Sequence, residues 1–175
     1  MACGEYHACA LSTNGSVRFW GDDIIAKGNG YSNTNVPPGL PPAIQLYAGF
    51  HHTCVITASR EVRCWGIDTY GQASPPLGAS PAADMALGMY ATCVVRFPGR
   101  QVMCWGDPTG GLRIHFPNDL GQVSSLAVGA SHACAVLAGS GTVRCWGPGD
   151  KGAIYVPQAL GPAVSVAAGA RHSCA

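Results

Sequence analysis

The stretch HTCVITASREVRCWG, residues 52–66, sets two cysteines ten positions apart and follows the second directly with Trp65 and Gly66. Its phrase returns along the chain. Trp20, Trp65, Trp105 and Trp146 each precede a glycine, at spacings of 45, 40 and 41 residues. The copies read GEYHACALSTNGSVRFWG (4–21), GFHHTCVITASREVRCWG (49–66), GMYATCVVRFPGRQVMCWG (88–106) and GASHACAVLAGSGTVRCWG (129–147), and a fifth opens as GARHSCA (169–175). Self-similarity at about 40 residues marks a repeat architecture.

Between these phrases lies a looser unit with Pro, Leu-Gly and an apolar run ending in Ala, Val or Leu before the next Gly, as in FPNDLGQVSSLAVG (116–129) and VPQALGPAVSVAAG (156–169). Gly 24 and Pro 13 in 175 residues punctuate short β-prone segments, which is about what one four-stranded propeller blade requires. A helical solenoid is the competing reading, but the apolar residues alternate or run in threes instead of recurring at helical spacing. The expected fold is all-β: β-propeller blades in repeats at approximately 4–48, 49–87, 88–128 and 129–168, with a truncated fifth at 169–175. Four repeats and a fragment suit part of a larger ring, with further blades from a longer chain; a four-bladed ring or an oligomer is the alternative.

Each phrase reads as a hairpin. Thr13-Asn14-Gly15, Pro98-Gly99 and Gly139-Ser140-Gly141 are turn chemistry between β-prone arms, whereas Ala58-Ser59-Arg60 carries the weakest turn signal. The midpoint of Cys54 and Cys64 falls at Ser59, so the two sulfurs face each other across their hairpin. Opposed residues at a non-hydrogen-bonded rung have Cα atoms about 4.5 Å apart, within reach of a disulfide. The spacing therefore predicts Cys54–Cys64, Cys93–Cys104 and Cys134–Cys145, each contributing about 2 to 3 kcal/mol by closing a short loop; reduced, packed thiols are the alternative. Cys3, Cys9 and Cys174 are left over, with Phe19 standing opposite Cys9.

Other chemistry is weighed on the same repeats. His52, Cys54 and Cys64 share a face and recur as His132, Cys134 and Cys145, but the third repeat has Ala91 and no fourth ligand comes at a constant offset, so no metal site is assigned. A Cys-His nucleophile made several times over is not a catalytic dyad, and no catalytic residue or cofactor is assigned. His7, His52, His132 and His172 are read as packing and hydrogen-bonding groups at blade edges, and the four tryptophans as wedges between blades.

Net charge is +1 with only 11% charged residues, and the ten Lys and Arg are scattered, so nucleic acid is not an expected partner. No apolar run approaches the roughly 20 residues of a membrane span, and MACGEYHACAL shows no signal peptide. The longest linker, DDIIAKGNGYSNTN (22–35), offers Asp22, Asp23, Lys27 and Tyr31 as candidate ligand contacts. Asn14-Gly15-Ser16 is a glycosylation sequon at a predicted hairpin tip, although Asn-Gly is equally what the turn wants.

The phrase G-x-x-H-x-C-A-L, then G-x-V-x-C-W-G, a Gly-Gln and a Pro-x-x-Leu-Gly linker, resembles the regulator of chromosome condensation repeat over essentially the whole chain. That resemblance implies a β-propeller, usually of seven blades. The cysteine-paired variant resembles the ectodomains of crinkly-type receptor kinases, which implies an extracellular or secreted, non-enzymatic module binding a protein, peptide or glycan. The founding nuclear member implies the alternative, an intracellular guanine nucleotide exchange factor or ligase-associated propeller. This chain lacks a basic tail, and its cysteine pairs suit an oxidising compartment.

Overall fold

The computed structural model describes residues 1–21, 35–106, 116–148 and 152–175. Every regular element among them is a β-strand, in five antiparallel sheets. The first sheet holds β1 (Ala2–Cys3), β2 (His7–Leu11) and β3 (Val17–Gly21); the second β4 (Ala43–Ala48), β5 (His52–Thr57) and β6 (Val62–Gly66). The third holds β7 (Ala82–Leu87), β8 (Ala91–Arg96) and β9 (Val102–Gly106), and the fourth β10 (Val123–Val128), β11 (Ala133–Leu137) and β12 (Val143–Trp146). β13 (Ala167–Ala168) pairs with β14 (Ser173–Cys174) in the last.

The sheets are offset from the sequence repeat. The apolar run that ends one repeat becomes the first strand of the next sheet, so Ala43–Ala48 pairs with His52–Thr57. These first strands, β1, β4, β7, β10 and β13, lie side by side in chain order. Among the described residues the first four sheets have three strands each, where the repeat length suggested four. In the second blade the linker after β6 is described throughout and forms turns instead of a strand; Pro75, Pro76 and Pro81 have no N–H to offer a ladder.

Hairpin register follows from the alternation of side chains. Cys54 pairs with Cys64, Cys93 with Cys104 and Cys134 with Cys145, directly across their hairpins. The tip with the weakest turn signal closes with Arg60 at φ 63°, and the third tip closes with Arg100 at φ 56°. Gly15 and Gly141 hold the left-handed position in the other two, at φ 82° and 70°. Arginine is tolerated there because its side chain is anchored on the next blade. Arg60 reaches the Ala82 carbonyl at 3.3 Å and lies 4.1 Å over the Phe97 ring, and Arg100 donates to the carbonyls of Val123 at 2.6 Å and Ser124 at 3.1 Å.

Two constraints set the approach of successive blades. At the hairpin tips, the carbonyls of Gly15, Arg60, Arg100 and Gly141 accept from the backbone N–H of Ala43, Ala82, Val123 and Ala163 at 2.9–3.0 Å. At the other end, the repeat glycines stack carbonyl against Cα. A Cβ on Gly4 would meet the Gly49 carbonyl oxygen at 2.5 Å, one on Gly49 that of Gly88 at 2.7 Å, and one on Gly129 that of Gly169 at 2.5 Å. A Cβ on Gly88 would likewise strike the Gly129 carbonyl. Only a residue without a side chain permits this approach.

Gly49→Ala is therefore expected to cost about 1 to 3 kcal/mol by overpacking. Gly161→Ala, where a Cβ meets nothing within 4 Å, should be neutral or slightly stabilising. Urea denaturation of the two variants checks the contrast; equal midpoints would remove the steric account of the repeat glycine.

Candidate functional site at the blade seams and glycine-lined cavity

The seams between the second and third and the third and fourth blades are built from a sulfur pair on one side and a tryptophan on the other. The disulfides Cys54–Cys64, Cys93–Cys104 and Cys134–Cys145 each span Cα atoms 4.1 Å apart, the short separation of a non-hydrogen-bonded rung. Cys54 and Cys64 pack in one buried cluster with Trp105 of the following blade, and Cys93 and Cys104 in another with Trp146. Trp65 covers the unbridged pair of the first blade, Cys9 and Phe19, meeting the Phe19 ring edge-on at 5.8 Å between centroids. Cys and Trp alternate on strand faces, so a Cys-Trp dipeptide sends its sulfur to one neighbour and its indole to the other.

Trp20 departs from the wedge reading. It belongs to the first sheet, on the face turned away from the second, and is 50% exposed. Cys9 is buried and free, and burial pushes its thiol up to about 11, with its Sγ 3.4 Å from the Ala2 carbonyl. Cys3 and Cys174 are free and exposed.

The repeat histidines reach across the same seams. His7 Nε2 lies 3.0 Å from Thr53 Oγ1, His52 Nε2 2.8 Å from Thr92 Oγ1, and His132 Nε2 2.9 Å from Ser173 Oγ. The Thr92 hydroxyl gives its one proton to the Gln72 carbonyl at 2.8 Å, so His52 must be the donor and is the neutral Nε2–H tautomer. Ser173 likewise donates to the Ala153 carbonyl at 2.8 Å and accepts from His132. Gln72 is fully buried in the seam between the second and third blades, and its carbonyl also accepts from Trp105 Nε1 at 3.0 Å. Where the third repeat has Ala91 instead of histidine, the following blade has Ala133 instead of a hydroxyl, and both are buried. His172 is exposed, its ring against Gly169.

These hydroxyl partners were not singled out from the sequence. The signal was present, because the residue before the cysteine is Thr53, Thr92 or Ser173 wherever the preceding repeat carries histidine, and alanine where it does not. A seam contact unique to one pair of blades, Tyr47 donating to Asp84 at 2.7 Å, had no repeat signal at all. Burial, then the Asp84 carboxylate, raises the Tyr47 hydroxyl far above its ordinary range.

Four of the repeat glycines, Gly4, Gly49, Gly129 and Gly169, line a cavity of about 280 Å³ together with Cys3, Glu5, Phe50, Leu87 and Val128. Beside it the turns after β1, β4 and β7 carry aromatic groups. Tyr6 stacks on His51 with centroids 5.8 Å apart and planes 7° apart, and Glu5 holds His51 Nε2 at 3.3 Å. The Glu5 carboxylate also raises the Tyr6 hydroxyl pKa, by hydrogen bond first and charge second. Tyr70 meets Tyr90 edge-on at 5.0 Å. The equivalent turns of the later blades carry Ala130, Ser131, Ala170 and Arg171, so this aromatic strip is confined to the turns of the first three blades. The candidate contacts Asp22, Asp23, Lys27 and Tyr31 lie outside the described residues. Among those that are described, no cluster of three His, Cys, Asp or Glu side chains could hold a metal ion, and no helix is long and apolar enough to cross a membrane.

Stacked β-sheets whose first strands adjoin one another, with a recurring Cys…Trp-Gly phrase, define a β-propeller braced by disulfides. Residues 1–23, 43–72 and 123–152 match the profile of the regulator of chromosome condensation (RCC1) repeat. No curated protein sequence matches the chain. Among solved structures it is similar to the entire ectodomain of a Physcomitrella patens receptor kinase, at 22% identity and a TM-score of 0.75, covering 97% of this chain and 44% of that one. The crinkly ectodomain of an Arabidopsis thaliana receptor kinase is similar at 21% identity and a TM-score of 0.71, with coverages of 95% and 56%. Prp20p of Saccharomyces cerevisiae, whose binding to Gsp1p and histones is described with its structure, is similar at 16% and 0.74, with coverages of 97% and 53%. The chain thus spans about half the length of the solved chains it resembles.

The seam histidine makes stability depend on pH. Burial first, and the neighbouring His51 and His7 second, push His52 down to about 3 from 6.5. The unfolded chain takes up this proton near pH 6.5 while the folded one refuses it until about 3. Stability is therefore complete above about pH 6.5 and falls through that window by up to about 1.4 kcal/mol per pH unit per proton. His132, lowered chiefly by burial, acts in the same direction. Urea midpoints at pH 7.5, 5.5 and 4.5 are expected to decline, less steeply in His52→Leu. A double-mutant cycle of His52→Ala and Thr92→Ala at pH 7.5 should return a coupling of about 1 kcal/mol; additive losses would deny the bond.

Proposed function

We propose that this chain is an extracellular or secreted propeller module that binds a protein, peptide or glycan and performs no catalysis itself. The observation that carries the reading is the recurrence of a disulfide at the same rung of three consecutive hairpins. Such bonds form and persist in oxidising compartments and are rare in the cytosol. Three seams lean on them, so reduction would loosen the scaffold itself and not a peripheral loop. The resemblance to receptor-kinase ectodomains adds support at the level of the fold. The exposed aromatic strip beside the glycine-lined cavity is the surface assigned to ligand contact, since it joins flat apolar faces to a carboxylate and an imidazole at little conformational cost. The propeller serves as a rigid frame, and specificity resides in the turns it displays.

Alkylation of the native protein before reduction tests this reading. An extracellular chain carries three reactive thiols, Cys3, Cys9 and Cys174, once denatured, and six more only after reduction. Nine alkylatable cysteines without reduction, in protein taken directly from its source cells, would place it in the cytosol and favour an intracellular exchange-factor or ligase-associated role instead.

A further inference from the structure

The tip of the β2–β3 hairpin carries chemistry that the seams do not use. Asn14-Gly15-Ser16 is the one Asn-x-Ser/Thr sequence among the chain's five asparagines. Asn14 and Ser16 are exposed. The Ser16 hydroxyl donates to Asn14 Oδ1 at 2.8 Å, and the Ser16 backbone N–H donates to the same oxygen at 3.0 Å. Two donors on the carbonyl oxygen polarise the side-chain amide and fix its plane, and Asn14 Nδ2 is left with no acceptor among the described residues.

The neighbouring backbone excludes the usual competing reaction of an Asn-Gly pair. Cyclisation to a succinimide requires the Gly15 nitrogen to attack Asn14 Cγ, but that N–H is held by the Ser12 carbonyl at 2.9 Å. Gly15 is fixed at φ 82° with its back against Pro42, where a Cβ would come within 2.7 Å of the Pro42 Cβ. The rear of the turn is thus packed on the second blade while its front, with Asn14 Nδ2, faces solvent. Asn14 and Ser16 are exposed, so a bulky group attached there meets solvent, at the end of the hairpin opposite the repeat glycines.

We propose that Asn14 is a site of N-linked glycosylation, a reading that rests on the extracellular placement above. The donor class is an oligosaccharide carried on a polyprenyl diphosphate. Asn14 Nδ2 attacks the anomeric carbon, an N–C bond forms, the C–O bond to the diphosphate breaks with its electron pair leaving on the diphosphate, and the amide nitrogen releases one proton to a base of the transferase. The Ser16 hydroxyl positions and polarises the acceptor amide.

The test is the full chain expressed with a secretory leader in insect cells and recovered from the medium. Intact mass is expected to show one glycan, removed by peptide:N-glycosidase with conversion of Asn14 to Asp. Asn14→Gln and Ser16→Ala should abolish it, and Ser16→Thr should retain it. Gly15→Ala keeps the Asn-x-Ser sequence but opposes the left-handed turn, so occupancy should fall by more than about half; unchanged occupancy in a secreted Gly15→Ala chain would remove the geometric argument. A secreted chain with six cysteines oxidised and Asn14 bare overturns this inference alone. A chain with all nine cysteines alkylated without reduction overturns the extracellular reading, and this one with it.

Discussion

The arrangement depends on a close approach of backbone to backbone: a glycine Cα lying against the carbonyl of the next repeat's glycine. Gly4, Gly49, Gly88, Gly129 and Gly169 form this series, and at each of the first four the neighbouring carbonyl fills the space a methyl group would need. That contact sets the distance between adjacent first strands, and so decides how deep the seam behind it can be. A seam of that depth accepts one tryptophan against one sulfur pair and leaves room for an imidazole to reach a hydroxyl. The bond between each hairpin tip and the next first strand fixes the opposite end, so the rotation between blades is held at two points.

Polar and apolar parts of the seam divide the work. The Trp-on-disulfide clusters remove apolar surface from water, which supplies most of the association between blades. The histidine bonds add little net free energy but punish mispacking, because a buried imidazole N–H without an acceptor costs more than a made bond gains. Ala91 and Ala133 show the alternative solution, in which both partners are absent and nothing is left unsatisfied. Arg60 and Arg100 follow a similar logic, since the cost of a left-handed arginine is offset by anchoring the guanidinium on the following blade.

Repeat phase, hairpin pairing and the cysteine partners were legible because each is written several times in one chain. The midpoint of Cys54 and Cys64 gives the register, since a one-residue slip would send both sulfurs to opposite faces. The number of strands per blade was not legible, because residues 67–81 carry small and apolar residues that are compatible with a strand until their prolines and turns are placed. The Ala58-Ser59-Arg60 tip was obscure for a related reason: its left-handed residue is stabilised by contacts with another repeat. The His52–Thr92 bond joins residues forty positions apart, and only comparison of one repeat with its successor exposes it. The Tyr6–His51 stack and Tyr47–Asp84 lie where repeats differ, and no internal comparison could have found them.

The split ownership of each histidine bond carries a consequence for how such a chain can lengthen. A repeat brings the imidazole for one junction and the hydroxyl for another, so neighbours must be compatible in order as well as in kind. Placing the fourth repeat directly after the second would set Ala133 opposite His52 and strand a buried donor, whereas placing it after the third, as here, strands nothing. Tandem copying of whole repeats therefore meets a grammar at their borders, and Ala91 with Ala133 is a border at which both polar partners are replaced together by alanine.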